Sequence, residues 1–342
     1  MSLIFLDAKK IEYIGPRSWF WISMMWILPF FKCLLYKVLK KFNLPIISVG
    51  NLVLGGSGKT PIIEYLVRLI SDNYNVAVLS RGYGRKSTGF VLADSSSDAE
   101  IIGDEPMQYY RKFKNIIVSV DSSRVRGINK LIKLDSKPEI VLLDDAYQHR
   151  KVKPGISILL TEFNDLYSDD NIFPLGNLRE SKINANRADI IIVTKCNKNI
   201  NENDKIQVIQ KLNISDNQKI YFSSIKYSKM VYDKEGSKPL SEFRNIKFTL
   251  VTGIADSSHL INYLNDSGYN FNHILFKDHH NFSDSDIVKI DRNNLIITTE
   301  KDYVKLFTKI TSSLYYLPIE FVIDNEVDFR KQILDYIQTR NS

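Results

Sequence analysis

The sequence predicts an α/β fold in which a wound parallel sheet is accompanied by a second, smaller α/β domain. Three observations carry this expectation. A β-branched run from Pro45 to Val49 empties into a glycine-rich turn and then into helical apolar spacing. Short apolar runs and amphipathic stretches then alternate, as parallel strands joined by crossover helices require. The alternation starts again near Phe248, after a stretch from Lys219 to Lys247 that lacks it. With 342 residues, 44% of them hydrophobic, the chain can bury a sizeable core, and its length suits two domains better than one.

The elements follow in order. Residues 1–42 hold all three tryptophans, Trp19, Trp21 and Trp26, within SWFWISMMWILPFF, with Lys32, Lys37, Lys40 and Lys41 behind. That run of 14 uncharged residues is short for a bilayer span of about 20, and Pro29 would interrupt a helix. Indole rings and a lysine flank suit a helix lying in the membrane interface on anionic lipid; a helix buried against the domain and a true span are the alternatives. The core, residues 43–218, begins with the strand to Val49 and a helix over Thr60–Ile70, apolar at Ile62, Ile63, Leu66 and Ile70. Strands are expected at Val76–Leu79, Ile116–Val120, Ile140–Leu143, Ile156–Leu160 and Ile190–Val193, with helices at Glu105–Lys112 and Arg124–Leu134. Asn197 to Asp216, polar and rich in Asn and Lys, reads as a surface helix and loops. Residues 219–247 read as a connector containing a strand-like YFSSI and the turn DKEGSKP. Residues 248–342 form the second domain, with strands at Phe248–Val251, His273–Phe276 and Leu295–Thr298 and a helix after Asp256.

The turn Gly55, Gly56, Ser57, Gly58, Lys59, Thr60 has the chemistry of a phosphate cradle. Glycines let backbone N–H groups approach oxyanions, and the following helix presents its positive end. Lys59 can reach outer phosphates, and Thr60 can hold a magnesium ion. This marks the core as P-loop NTPase-like. The strict pattern G-x-x-x-x-G-K-T fails only at its first glycine, which falls on Val53. Downstream, IVLLDD delivers Asp144 and Asp145 to a strand end, where a magnesium-associated carboxylate belongs. AYQHR adds His149 beside them. SRGYGRK brings Arg81, Arg85 and Lys86 to another strand end, as a phosphate binder or a solvated basic loop. GDEP places Asp104 and Glu105 at a helix start, where capping alone would account for them.

The net charge of +7 favours an anionic partner without choosing one, and a concentrated basic stripe interleaved with aromatics, as nucleic-acid binders carry, is missing from the sequence. Cys33 and Cys196 are far apart and lack C-x-x-C spacing, so neither a disulfide framework nor a zinc site is indicated, and a reducing compartment is the default. A nucleotide switch binding a protein partner is the competing class. Thr194 and Lys195 superficially suit guanine reading, but the expected aspartate is Asn197.

Seven motifs in order, SVGNLVLGGSGKTP, LSRGYGRKSTG, GDEP, LLDDAYQHR, PLGNLRE, KDHHNFS and TTEKDYVKL, resemble the tetraacyldisaccharide 4'-kinase family from Ile46 through Leu306. The family's DDGFQHR is DDAYQHR here, so the position of Ala146 does not require φ > 0. The resemblance implies an ATP- and Mg²⁺-dependent kinase acting on a lipid-linked disaccharide at the cytoplasmic face of a Gram-negative inner membrane. The tryptophan–lysine segment adds an anionic membrane surface as the expected partner, and neither nucleic acid nor an obligate protein partner is expected. By resemblance Lys59, Thr60, Asp144 and Asp145 serve triphosphate, metal and catalytic electrostatics. Asp104 pairs with a histidine of the second domain as the hydroxyl's proton acceptor. That histidine falls on His279, with His280 adjacent. Arg81, His149, Arg179 and Glu180 fall around substrate or phosphates, and Arg124 is a weaker candidate.

Overall fold

The computed structural model describes residues 39–197 and 200–341. The expected interfacial helix therefore lies almost wholly outside the described residues. The first sheet has nine strands: β1 (Ile46–Asn51), β2 (Val76–Ser80), β3 (Val91–Leu92), β4 (Ile117–Val120), β5 (Ile140–Leu143), β6 (Ile156–Glu162), β7 (Ile190–Thr194), β8 (Lys219–Tyr227) and β15 (Ile319–Ile323), in the order β15-β8-β7-β6-β1-β5-β2-β4-β3. From β8 to β4 all neighbours are parallel; β3 and β15 close the two edges antiparallel. β1 is buried along its whole length, as a central parallel strand covered on both faces must be, and this is why it reads as a continuous apolar run.

Helix α1 (Lys59–Ile70) follows β1 and sinks Ile62, Ile63, Leu66, Val67 and Ile70 into the core. The short α2 (Ala99–Ile102), then α3 (Asp104–Lys112) and α4 (Arg124–Leu131), complete this half, and α5 (Glu202–Leu212) is the expected polar surface helix. The second sheet has six strands: β9 (Met230–Tyr232), β10 (Ser237–Pro239), β11 (Phe248–Thr252), β12 (Phe271–Leu275), β13 (Leu295–Thr299) and β14 (Ser313–Leu317), ordered β10-β9-β14-β13-β11-β12. Its helices are α6 (Ser258–Asp266), α7 (Asp284–Asp291) and α8 (Glu300–Leu306).

The strands divide between the sheets otherwise than by one cut at residue 248. The stretch 219–247 supplies β8 to the first sheet and β9 and β10 to the second. β15 and the last helix, α9 (Glu326–Asn341), return to the first sheet. There Phe329, Ile333 and Ile337 join the core of α1 and β1, and the Tyr336 hydroxyl accepts the Ile46 N–H at 3.0 Å. The chain therefore crosses between sheets twice. The crossings are tied to each other where the Ser228 N–H donates to Pro318 O at 3.0 Å.

Candidate active site

The phosphate loop is built on β1 and α1. Val53 is 5% exposed and makes an antiparallel bridge to Leu178, and the Leu54 N–H donates to Asn177 O at 2.8 Å. The position where the strict pattern puts glycine is thus a strand-like anchor against PLGNLRE, and the loop turns at Gly55 (φ 119°) and Gly58 (φ 84°) instead. Gly58 caps α1 in the left-handed region. A Cβ there would meet Thr194 only at 3.8 Å, so the constraint is conformational rather than steric. Thr194 Oγ1 lies 3.1 Å from Ser57 O and supports the loop from below. The buried Ser57 hydroxyl has no hydrogen-bond partner in the protein, an orphan beside the open N–H groups of α1 that a phosphate oxygen would satisfy. Gly56 packs toward Ala255 of the second domain.

Asp144 and Asp145 follow β5. The left-handed residue of this turn is Asp145 (φ 45°), which explains why alanine is accepted at 146. Arg179 grips Asp145 with Nη1 at 3.0 and 3.1 Å from its two carboxylate oxygens, and Lys59 Nζ stands 3.5 Å away. Burial pushes the Asp145 carboxyl up, but Lys59 and Arg179 outweigh it and leave it below the ordinary value. Asp144, accepting the Ser80 hydroxyl at 3.0 Å, is pushed up to about 6 by burial and then by the charges of Asp145 and Glu105. Two adjacent carboxylates at the phosphate loop, one under-compensated, fit a divalent cation. Among the described residues no group of three or more His, Cys, Asp or Glu forms a self-sufficient cage. That is the usual situation of Mg²⁺, which leans on one or two carboxylates, waters and substrate phosphates.

Arg124, almost fully buried, donates to the backbone carbonyls of Asp121 and Asp144 and so holds the carboxylate turn in place. His149 is held neutral at pH 7: burial, Arg124 and Arg81 depress it to about 4. Arg81 is exposed at the end of β2. The other basic residues of its loop are engaged locally, Arg85 with Gly89 O at 2.6 Å and Lys86 with Glu100 at 2.6 Å. Glu180 turns away from the carboxylates to Arg187 at 2.8 Å.

Asp104 opens α3. Gly103 ahead of it (φ 96°) lets that helix start lie against the Arg81–Gly82–Tyr83 loop, where an added Cβ would sit 3.1 Å from Gly82 Cα. From the second domain His279, itself left-handed (φ 55°), brings Nδ1 to 3.0 Å from Asp104 Oδ2, and Lys305 Nζ reaches the same oxygen at 2.7 Å. Lys301 Nζ lies 2.9 Å from His279 Nε2 and 3.0 Å from Asp278. An ammonium has only donors, so Nε2 accepts, and the ring's proton sits on Nδ1 and is donated to Asp104. Burial would raise Asp104, but the His279 hydrogen bond and Lys305 prevail and keep the carboxyl below its ordinary value. His280 points elsewhere: Nε2 is 3.0 Å from Asp286 in the capping box of α7, and its ring stacks on Phe276 at 4.7 Å. Lys301 and Lys305 lie inside the motif TTEKDYVKL, and their i, i+4 spacing on α8 was the available signal that one helix face carries two ammoniums.

Behind this pair a second contact joins the domains. Lys112 of α3 sits 2.7 Å from both Glu64 of α1 and Glu300 of α8. Burial and the Glu64 charge push Glu300 up to about 7 despite Lys112. A carboxyl raised by folding favours the folded state most at low pH, and that contribution fades as pH rises from the unfolded value through about 7. Melting temperature should therefore drop between pH 5 and 8 by an amount reflecting on the order of 1–3 kcal/mol. In Glu300→Gln that component should vanish; identical pH slopes for the two proteins in thermal denaturation would contradict it.

A model of the family described as tetraacyldisaccharide-1-P 4'-kinase matches residues 18–338. The chain belongs to this family. It is 50% identical over 302 residues to the tetraacyldisaccharide 4'-kinase of Flavobacterium johnsoniae, covering 87% of this chain and 88% of that one. To the enzyme of the same name from Bacteroides thetaiotaomicron it is 42% identical over 332 residues, 89% and 87% of the two chains. The crystal structure of LpxK from Aquifex aeolicus in complex with ATP superposes with a TM-score of 0.71 at 27% identity, covering 90% of this chain and 94% of that one. The mixed α/β architecture with its large parallel sheet is thus the family's, and among the described residues no helix is long and apolar enough to cross a membrane.

Proposed function

We propose that the chain is the ATP-dependent kinase that phosphorylates the 4'-hydroxyl of the tetraacylated glucosamine disaccharide 1-phosphate, the precursor of lipid A. The observation that carries this reading is the Asp104–His279 contact of 3.0 Å, made across two domains beside the phosphate loop. Asp104, ionised and held by His279 and Lys305, accepts the proton of the attacking hydroxyl. His279 orients it from Nδ1, while Lys301 fixes the ring's tautomer. Lys59 and the open N–H groups of α1 hold the triphosphate and balance charge that develops on the transferring group. Thr60 with Asp144 or Asp145 would hold a magnesium ion, which would supply further neutralisation of the phosphates. Arg179 keeps Asp145 in place. Approach of the domains brings His279 to Asp104 beside the phosphates and excludes water that would otherwise hydrolyse ATP.

The acyl chains of such an acceptor stay in the bilayer, so the enzyme works at an anionic membrane surface, on the cytoplasmic face of the inner membrane, as a peripheral or monotopic protein. Neither nucleic acid nor an obligate protein partner enters this reading. A nucleotide switch is less well supported: Thr194 is spent beneath the phosphate loop, and Lys195 is paired to Glu162 at 2.7 Å. The test is phosphate transfer from labelled ATP to the disaccharide lipid in vesicles. Label in the lipid fraction, dependent on both ATP and acceptor, is the expected result. Tight GTP binding without transfer to lipid would support the switch instead.

A further inference from the structure

We propose that the loop spanning residues 172–178 is a bilayer contact separate from the N-terminal segment, seating Phe173 and Leu175 in the interfacial region of an anionic membrane. This rests on the reading above that the acceptor is a membrane lipid.

The loop is unusual in what it exposes. Leu175 is 84% exposed, Phe173 58% and Ile172 50%, and Leu54, whose N–H donates to Asn177 O, is 52% exposed beside them. Single exposed apolar residues need no explanation, but four around one loop do. The backbone beneath them is fixed. The Phe173 N–H donates to Leu178 O at 3.0 Å, Leu175 N–H to Ile172 O at 3.0 Å, and Leu178 N–H to Asn171 O at 2.9 Å. The Asn177 N–H donates to the Asp170 carboxylate at 3.0 Å. Donors satisfied within the loop would not oppose its transfer from water into the headgroup region, where an unpaired N–H is costly. The nearby acidic groups are engaged: Asp170 by those amides and Asp169 by Lys211 at 3.1 Å.

Position decides the occupant. Leu54 belongs to the phosphate loop and is bonded to Asn177, and Arg179, one residue past the loop, grips Asp145. The apolar tip therefore stands at the mouth of the site. An acceptor with four acyl chains is retained in the bilayer by about 0.8 kcal/mol per methylene, so the bilayer must reach that mouth. Four exposed side chains fall short of the ~800 Å² per partner that a stable protein interface takes.

The experiment uses the full chain with Cys33→Ser, leaving the buried Cys196, and Leu175→Cys carrying an environment-sensitive fluorophore. Vesicles of phosphatidylethanolamine and phosphatidylglycerol should shift its emission to the blue, and spin-labelled lipid should quench it several-fold. The same label at Glu235→Cys, in an exposed turn of the second domain, should respond to neither. A silent probe at 175, with the unlabelled chain transferring phosphate to vesicle-borne lipid, would overturn the proposal and spare the kinase assignment. No transfer by the unlabelled chain would overturn the assignment and this inference with it. A shift that grows with protein concentration in the absence of vesicles would overturn it in favour of a second copy.

Discussion

Replacing Lys59 by alanine is expected to abolish measurable phosphate transfer, a loss of at least ~10²–10³-fold, the scale on which one preorganised charge or donor at a developing anion acts. The fold should survive. Asp145, 3.5 Å from Lys59, keeps Arg179 at 3.0 Å, so removing the lysine leaves no unpaired buried carboxylate. Lys59 is also the first residue of α1, where alanine is a good helix former. Circular dichroism and thermal melting should thus match the parent protein while radiolabelled transfer to lipid disappears. Near-normal kinase activity in this variant would sink the assignment of the loop.

The second large effect is expected at Asp104 and His279. Each alanine variant should lose about 10²–10⁴-fold in turnover, the usual contribution of a positioned acid or base. The double variant should lose far less than the product, because His279 acts on the hydroxyl proton only through Asp104. Asp104→Ala also strands Lys305, whose Nζ is 2.7 Å from Oδ2 and nearly buried, so Asp104→Asn, which retains an oxygen acceptor, is the cleaner base deletion. His280→Ala should affect stability through the α7 capping box and leave the coupling between Asp104 and His279 intact. Independent, multiplicative losses at 104 and 279 would argue against a coupled pair.

The parts of this site legible in the sequence are those whose chemistry is local. The strand, glycine turn and helix from Ile46 to Ile70 announce themselves because periodicity, turn residues and Lys59 all fall within one short stretch. The reason for Val53 is not local, because the bond that explains it, the bridge to Leu178, spans more than a hundred residues. GDEP alone reads as a helix start, and the structure makes Gly103 the cap and Asp104 the first helical residue; only the second domain brings His279 to it. His279 and His280 are indistinguishable by neighbourhood in sequence and are separated by a left-handed backbone and an Asp286 partner that no spacing rule reports. Lys112 and Glu64 belong to none of the motifs, and Glu300, though inside TTEKDYVKL, shows no sign there of this contact, since three charges meeting from three helices leave no local trace. In the last helix the apolar positions Phe329, Ile333 and Ile337 follow a helical period, yet nothing in that period says which of two sheets it will cover.

That return has a consequence for how the chain is made. Strand β15 and helix α9 complete the first sheet and its core, but they are synthesised after the entire second sheet. On the ribosome, the β8 edge that receives β15 must wait uncovered through roughly ninety residues of translation, and the α1 face that receives Phe329 through more than two hundred and fifty, several seconds or longer at typical rates. An unpaired parallel-sheet edge and an apolar helix face are the surfaces most prone to misassociation during such a delay. The kinase core thus depends on residues translated after the whole second sheet, and deletions that trim α9 should be read first as folding defects, even when the missing residues lie far from any phosphate.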